Sequence, residues 1–226
     1  MGGFDQGTQY PLGFLIPLPR HALVGLCVLK KACALQRQWP SQSVNRREEV
    51  SSIWLCDQNG PWHGPALADL QSWRAWRGDL QGWRHYWTGP LQERPDPAEG
   101  ALWEALDPGT DLMGPGVSMP RAQAAFHYVV ETDVALGGED DFQAWYEQEH
   151  LLGLSKVPGC LRARRLMRRD GPVGLPLHVA CYDLVSAQVT ESDPWLAVRH
   201  TDWSSRVRPL FRNTRRTLFV HPSSPI

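Results

Sequence analysis

The stretch from Phe126 to Val220 restricts the fold most, because hydrophobic periods of two and of about 3.6 residues alternate along it. Phe126–Asp133 is rich in β-branched and aromatic residues and reads as a strand. Gly137-Gly138 ends that run, and Glu139, Asp140 and Asp141 follow where a helix N-terminus favours negative charge. The spacing predicts a helix to about Ser155, turned by Pro158-Gly159. Strands are expected over Cys160–Arg169 and Leu177–Val185, as a hairpin across the turn 170–174. Ser192-Asp-Pro194 opens a second helix, with proline at its start, and Thr214–Val220 supplies a last strand. The order is β-α-β-β-α-β, the split βαβ of ferredoxin-like folds.

A fainter copy of this pattern lies upstream. Ile53–Asp57 has the shape of Val179–Asp183, and Trp73–Arg77 matches Trp195–Arg199 in its Trp, Ala and Arg positions. The near-constant offset suggests an internal duplication. Pro and Gly over Pro90–Pro97 and again over Asp107–Pro120 have linker composition. The expected organisation is therefore a divergent N-terminal repeat over residues 1–95, a linker over 96–121 and a C-terminal repeat over 122–226. The expected class is α+β, with two βαββαβ repeats packed sheet to sheet around a cavity.

Composition narrows the function classes. A net charge of −1 gives no overall basicity for nucleic acid. Five scattered cysteines without CxxC spacing point to buried thiols in a reducing compartment. Eleven tryptophans, seven of them between Trp54 and Trp103, imply thick aromatic cores or flat pockets. Leu12–Leu29 is apolar but broken by Pro17, Pro19, Arg20 and His21, which argues against a membrane span; no basic residue before Arg20 marks a secretory signal. A cytoplasmic protein is expected.

The helix from Glu139 carries the most chemistry. Phe142, Trp145 and Tyr146 share a face, and Glu149 stands at i+7 where a core helix would place an apolar residue, with His150 on the flank. An ionisable pair ending an aromatic stripe suits a pocket wall, and a structural Glu–Arg pair would give the same pattern. Strand parity groups His127, Glu131 and Asp133 on one face, and His178 and Tyr182 on one face of their own strand. Arginines occupy both faces of the second strand, Arg162 and Arg164 on one and Arg165 on the other. The polar face with His127, Glu131, His178, Tyr182 and one arginine set is expected to line the cavity.

Trp145-Tyr-Glu-Gln-Glu-His150, Val157-Pro-Gly159, Arg162–Arg165 and the ending Pro209–Arg216 resemble the dimeric α/β-barrel superfamily, most of all its EthD-like branch with a WYxxEH-type helix. The first half departs from that pattern, since Trp39–Val50 offers no counterpart to the helix. The resemblance implies an intrachain barrel of two ferredoxin-like repeats. It further implies a cofactor-independent enzyme acting on a hydrophobic, aromatic or polyketide-like molecule by proton transfer, as an isomerase or cyclase. In that reading His150 is the acid or base, Glu149 orients it, and Tyr146, Tyr182 or an arginine stabilises the oxyanion. Trp145, His127, Glu131, Arg162, Arg164, His178 and Tyr182 would hold the ligand. No cofactor and no metal are expected, the partner is a small hydrophobic molecule, and a homodimer of the two-repeat chain is compatible. The alternative is a non-catalytic small-molecule-binding barrel; a haem protein, from Trp83, His85 and Trp87, is less favoured.

Overall fold

The computed structural model describes residues 52–90, 93–98, 101–117, 124–170 and 174–224; expectations for residues 1–50 lie outside them. Eight antiparallel strands carry the fold: β1 Ser52–Gln58, β2 Gln71–Gly78, β3 Trp83–Gly89, β4 Trp103–Met113, β5 Phe126–Val134, β6 Cys160–Asp170, β7 His178–Leu184 and β8 Phe211–Val220. They close into one barrel in the order β1-β3-β2-β8-β5-β7-β6-β4, with β4 returning to β1.

This corrects the expected fold class. Two repeats packed sheet to sheet would leave two separate sheets with a cavity between them. Here Ala105–Met113 of β4 pairs along β6, and Arg74–Gly78 of β2 pairs along β8, so the halves are hydrogen-bonded edge to edge. Closure removes the exposed strand edges that two independent sheets would present. Among the described residues the helices are confined to the second half, so a βαββαβ pattern in the first half is not found.

The duplication signal is upheld by only one of its two matched pairs. Ile53–Asp57 and Val179–Asp183 both lie in strands, but Trp73–Arg77 lies in strand β2 whereas Trp195–Arg199 lies in a helix. Residues 103–113, within the expected linker over 96–121, form β4 and complete the wall between β1 and β6.

The helical layer covers the outer face of β5–β8. Helix α1 starts at Glu139–Trp145, passes through a π-turn at Tyr146–His150 and ends at Leu151–Ser155. Gly159, at φ +88°, makes the turn into β6; a Cβ there would meet Val189 Cγ2 at 2.6 Å. Helix α2 spans Asp193–Arg199, and α3 spans Asp202–Val207, capped by the Thr201 hydroxyl accepting from the Ser204 amide. Phe142, Trp145, Leu151, Leu154 and Trp195 seal this layer against Ala163, Ala180 and Tyr182. Each large side chain buried there contributes roughly 1.5–3 kcal/mol. Over the first half, Trp54, Trp87 and Ala105 pack instead beneath Leu67 and Leu70 of a loop.

Candidate functional site

Strand pairing sorts the expected site residues onto two sides of one wall. Directly paired residues of an antiparallel ladder share a face. His127 pairs with Asp183 and Glu131 with Val179, whereas Tyr128 pairs with Tyr182 and Thr132 with His178. His127, Glu131 and Arg164 therefore point into the barrel, and His178 and Tyr182 lie outside under the helices. Grouping His127 and Glu131 with His178 and Tyr182 on one face is corrected by this register, which parity within single strands does not supply.

Inside the barrel the charges are closely matched. Glu131, 1 % exposed, accepts from Arg168 at 2.6 Å, Arg215 at 2.9 Å and Arg84 at 3.1 Å. Arg84 also clasps Asp57 through Nε and Nη2 at 2.7 and 2.6 Å, and Arg168 donates to Glu104. Burial alone would raise the Glu131 carboxyl, but the three guanidiniums bring it down to about 2. Farther along, His127 Nδ1 meets Asp183 Oδ1 at 2.6 Å, its Nε2 meets the Tyr86 hydroxyl at 3.1 Å, and Trp73 stacks on its ring at 4.9 Å. Burial disfavours the imidazolium, yet Asp183 outweighs it and the His127 pKa is raised. Asp183, opposed by burial, is brought down to about 2 by Arg164 and His127.

The outer side differs. The π-turn adds one residue to the helical turn, with the Leu151 amide bonding back to the Tyr146 carbonyl. Such single turns occur often at functional sites. An α-helix would set residues five apart well around the cylinder; here Trp145 and His150 stack at 4.0 Å with 20° between ring planes. His150 is thus brought onto the buried face, and Glu149 turns aside to accept from the Thr201 hydroxyl at 2.6 Å. Among the described residues no hydrogen bond joins Glu149 to His150. Glu149 instead ties the helix to the cap of α3.

A cleft opens between this helix, α2 and the outer face of the sheet. It encloses about 40 Å³, and about 400 Å³ counting its open mouth. Its walls are aromatic: Tyr128, Trp145, Tyr146, Tyr182, Trp195 and Phe211. Two buried polar atoms there lack a hydrogen-bond partner among the described residues, His150 Nδ1 and Trp195 Nε1. Arg199, Arg208 and Arg216 complete the lining, and no ion pair to a carboxylate engages these three among the described residues. The crowding is felt electrostatically: partial burial first, then Arg199 and Arg216, lower the Arg208 pKa. Burial, followed by Arg199, Arg208 and Arg165, pushes His150 down to about 3, so its imidazole is neutral at pH 7.

The structure brings together Trp145, Tyr146, His150 and Tyr182 of the expected set. Arg165 and His178 lie nearby under α1, the guanidinium 3.8 Å from the Tyr146 ring centre and 3.3 Å from His178 Nδ1. Burial and Arg165 lower the His178 pKa to about 4. Arg162 is held by Asp111 at the barrel mouth. Sequence reasoning missed Arg199, Tyr128 and Trp195 as lining residues. Alternation along β8 sends Arg215 inward, opposite Glu131, and Arg216 outward, opposite Val130. His85 accepts or donates at Ser72 Oγ, 2.8 Å away, beneath Trp62 and Trp83. No group of three metal-ligating side chains occurs among the described residues, and none of their helices is long and apolar enough to cross a membrane. Cys56, Cys160 and Cys181 are buried free thiols.

No protein-family profile matches the chain, and no curated protein matches it. Solved structures do share its architecture. A candidate monooxygenase from Fusobacterium nucleatum superimposes with a TM-score of 0.50 at 7% identity, covering 77% of this chain and 93% of that one. An anthrone oxidase-like protein gives a TM-score of 0.46 at 10% identity, with coverages of 77% and 93%. At 7% identity the likeness to the Fusobacterium protein is one of fold alone.

Proposed function

We propose that this chain is a small-molecule enzyme of the dimeric α/β-barrel type, in its EthD-like branch, whose outer cleft binds a flat aromatic compound as a phenolate or enolate. The observation that carries this reading is the convergence of Arg199, Arg208 and Arg216, with no carboxylate ion pair among the described residues, on an aromatic cleft also lined by His150, whose buried Nδ1 has no hydrogen-bond partner among them. Cations left uncompensated beside apolar walls are costly, and an anionic ring compound would relieve that cost.

The enclosed part of the cleft admits only water-sized groups, so the reacting oxygen enters it while the rings lie in the mouth among Trp195, Phe211 and Tyr128. Neutral His150 takes a proton from an O–H or acidic C–H of the ligand. The electron pair of that bond stays on the ligand as an oxyanion, which the arginines stabilise. An imidazolium beside several guanidiniums is unfavourable until the anion forms, so proton transfer is tied to the correct ligand. Through its carbon end the delocalised phenolate or enolate can be reprotonated or cyclise, and the candidate monooxygenase of like fold makes reaction with dioxygen a third fate to measure.

The test is titration with a naphthol panel, reading tryptophan quenching, the phenolate absorbance band and oxygen uptake together. The expected result is saturable quenching, a phenolate band well below the free ligand's pKa, and loss of both in the Arg199→Met, Arg208→Met double variant. Binding with no band and no turnover would leave a binding barrel in place of an enzyme, and no saturable quenching would remove the site altogether.

A further inference from the structure

The lining of the outer cleft is graded from covered to wet. Trp145, Tyr146, His150 and Trp195 are buried, Arg199 is half-buried, and Arg208 and Arg216 are exposed. The elements that carry them set this order. Arg199 is the last residue of α2, Arg208 directly follows α3, and Arg216 pairs on β8 with Val130, itself part of the cleft wall. After burial, Arg199 lowers the His150 pKa most. Burial raises the Tyr128 hydroxyl, and Arg199, Arg216 and Arg208 all oppose it, so the three charges overlap at that ring. Arg208 Nη1 donates to the Arg199 carbonyl at 3.3 Å, and the Asp79 carboxylate accepts from the Arg216 backbone amide at 2.6 Å. Among the described residues neither contact supplies a counter-charge to these two guanidinium groups.

Three guanidinium groups exceed the charge of one phenolate or enolate oxygen. Resting on the function proposed above, we infer that the ligand of this cleft is a hydroxyaryl carboxylate, whose acid group lies at the far end of the rings from the reacting oxygen and is held at the mouth by Arg208 and Arg216. Arg199 is left to the oxyanion beside His150. The covered end suits a hydroxyl, whereas an ionised carboxylate keeps its charge at low cost only where water or a cation meets it. A guanidinium fork matches a carboxylate in two parallel hydrogen bonds, so the mouth recognises the acid by geometry as well as by charge. A neutral aromatic compound would fill the walls of Tyr128, Trp195 and Phe211 and leave both exposed cations to solvent. Inorganic phosphate would meet the cations and leave those rings bare.

Titration of the full chain with 6-hydroxy-2-naphthoate, its methyl ester and 2-naphthol, read by tryptophan quenching, tests this. The ester keeps the shape of the acid and removes its charge. At about 10 mM salt the acid is expected to bind about tenfold more tightly than the ester. At about 1 M salt, where charges at an exposed mouth are screened beyond about 3 Å, that advantage falls below about threefold. Arg208→Met and Arg216→Met each narrow the acid-to-ester ratio, and reading a ratio cancels any general loss of affinity in the cleft. The salt series needs no variant, so it decides the matter even if neither variant folds. The inference is overturned if the ester binds as tightly as the acid, or if the acid keeps its advantage at high salt or in both variants. Saturable binding of the ester and 2-naphthol in that case leaves the proposed function standing, whereas no binding by any of the three overturns both.

Discussion

His127 and His150 are both buried, on opposite sides of the same barrel wall, and their basicities move in opposite directions. His127 is held between Asp183 and Tyr86, and its pKa rises in spite of burial. His150 has Trp145 stacked on it, arginines around it and a Nδ1 without a partner among the described residues, and its pKa falls to about 3. The partner, more than burial, decides the sign. The same contrast holds for whole regions: around Glu131 cation and carboxylate are interlocked, while the cleft beneath the helices gathers cations with no carboxylate among its described lining residues. The first is the arrangement of a scaffold, the second the one we propose as an anion site.

The contrast breaks most visibly at Glu131. Removing one partner of a buried ion network costs about 3–5 kcal/mol, because the remaining charges stay buried. Glu131→Gln should lose that much in urea denaturation, or fail to fold; a loss under about 1 kcal/mol would mean the interior is not a scaffold. On the other side, His150→Ala should lower turnover of a naphthol-type substrate by about 10²–10⁴-fold, the usual worth of a positioned acid or base. Unchanged turnover would end its role as base.

Stability against pH sharpens the comparison between the two imidazoles. His150 is protonated in the unfolded chain below its ordinary value of 6.5 but stays neutral in the fold down to about 3. Its contribution is therefore full above pH 6.5 and is lost as the pH falls toward 3. His178, lowered to about 4, adds to the same slope. His127, with a raised pKa, contributes fully below pH 6.5 and loses that contribution as the pH rises through its folded value. His150→Gln should flatten the acid slope of melting temperature, and His127→Gln the alkaline one; the opposite assignment would reverse the two environments. The smallest effect is expected for Tyr86→Phe, about 1 kcal/mol for the lost hydrogen bond to His127, with His127 still paired to Asp183.

Much of the second half was legible in the chain because its signals are local. Pro158-Gly159, Ser192-Asp-Pro194 and the alternation in Phe126–Asp133 mark turn, helix start and strand within a few residues, and the observed elements begin and end close to them. The first half misled for the opposite reason. Trp73–Arg77 resembles Trp195–Arg199 in composition, yet β2 is extended because Gln71–Arg74 pairs with β3 and Arg74–Gly78 with β8. The partner β8 is distant in sequence, and context of that kind overrides local likeness.

The candidate site divides in the same way. That Trp145, Tyr146 and His150 share one helix, and that arginines crowd β6 and β8, is written in the residues themselves. The tertiary structure decided which of them meet. The π-turn exchanged Glu149 for His150 on the buried face, and the register of β5 against β7 sent His127 inward and Tyr182 outward. Closure of β4 onto β6 turned two expected sheets into one barrel. Residue type and short-range period depend on neighbours along the chain, whereas register and closure depend on hydrogen bonds between strands far apart in it, and a shift of one residue there exchanges one face for the other.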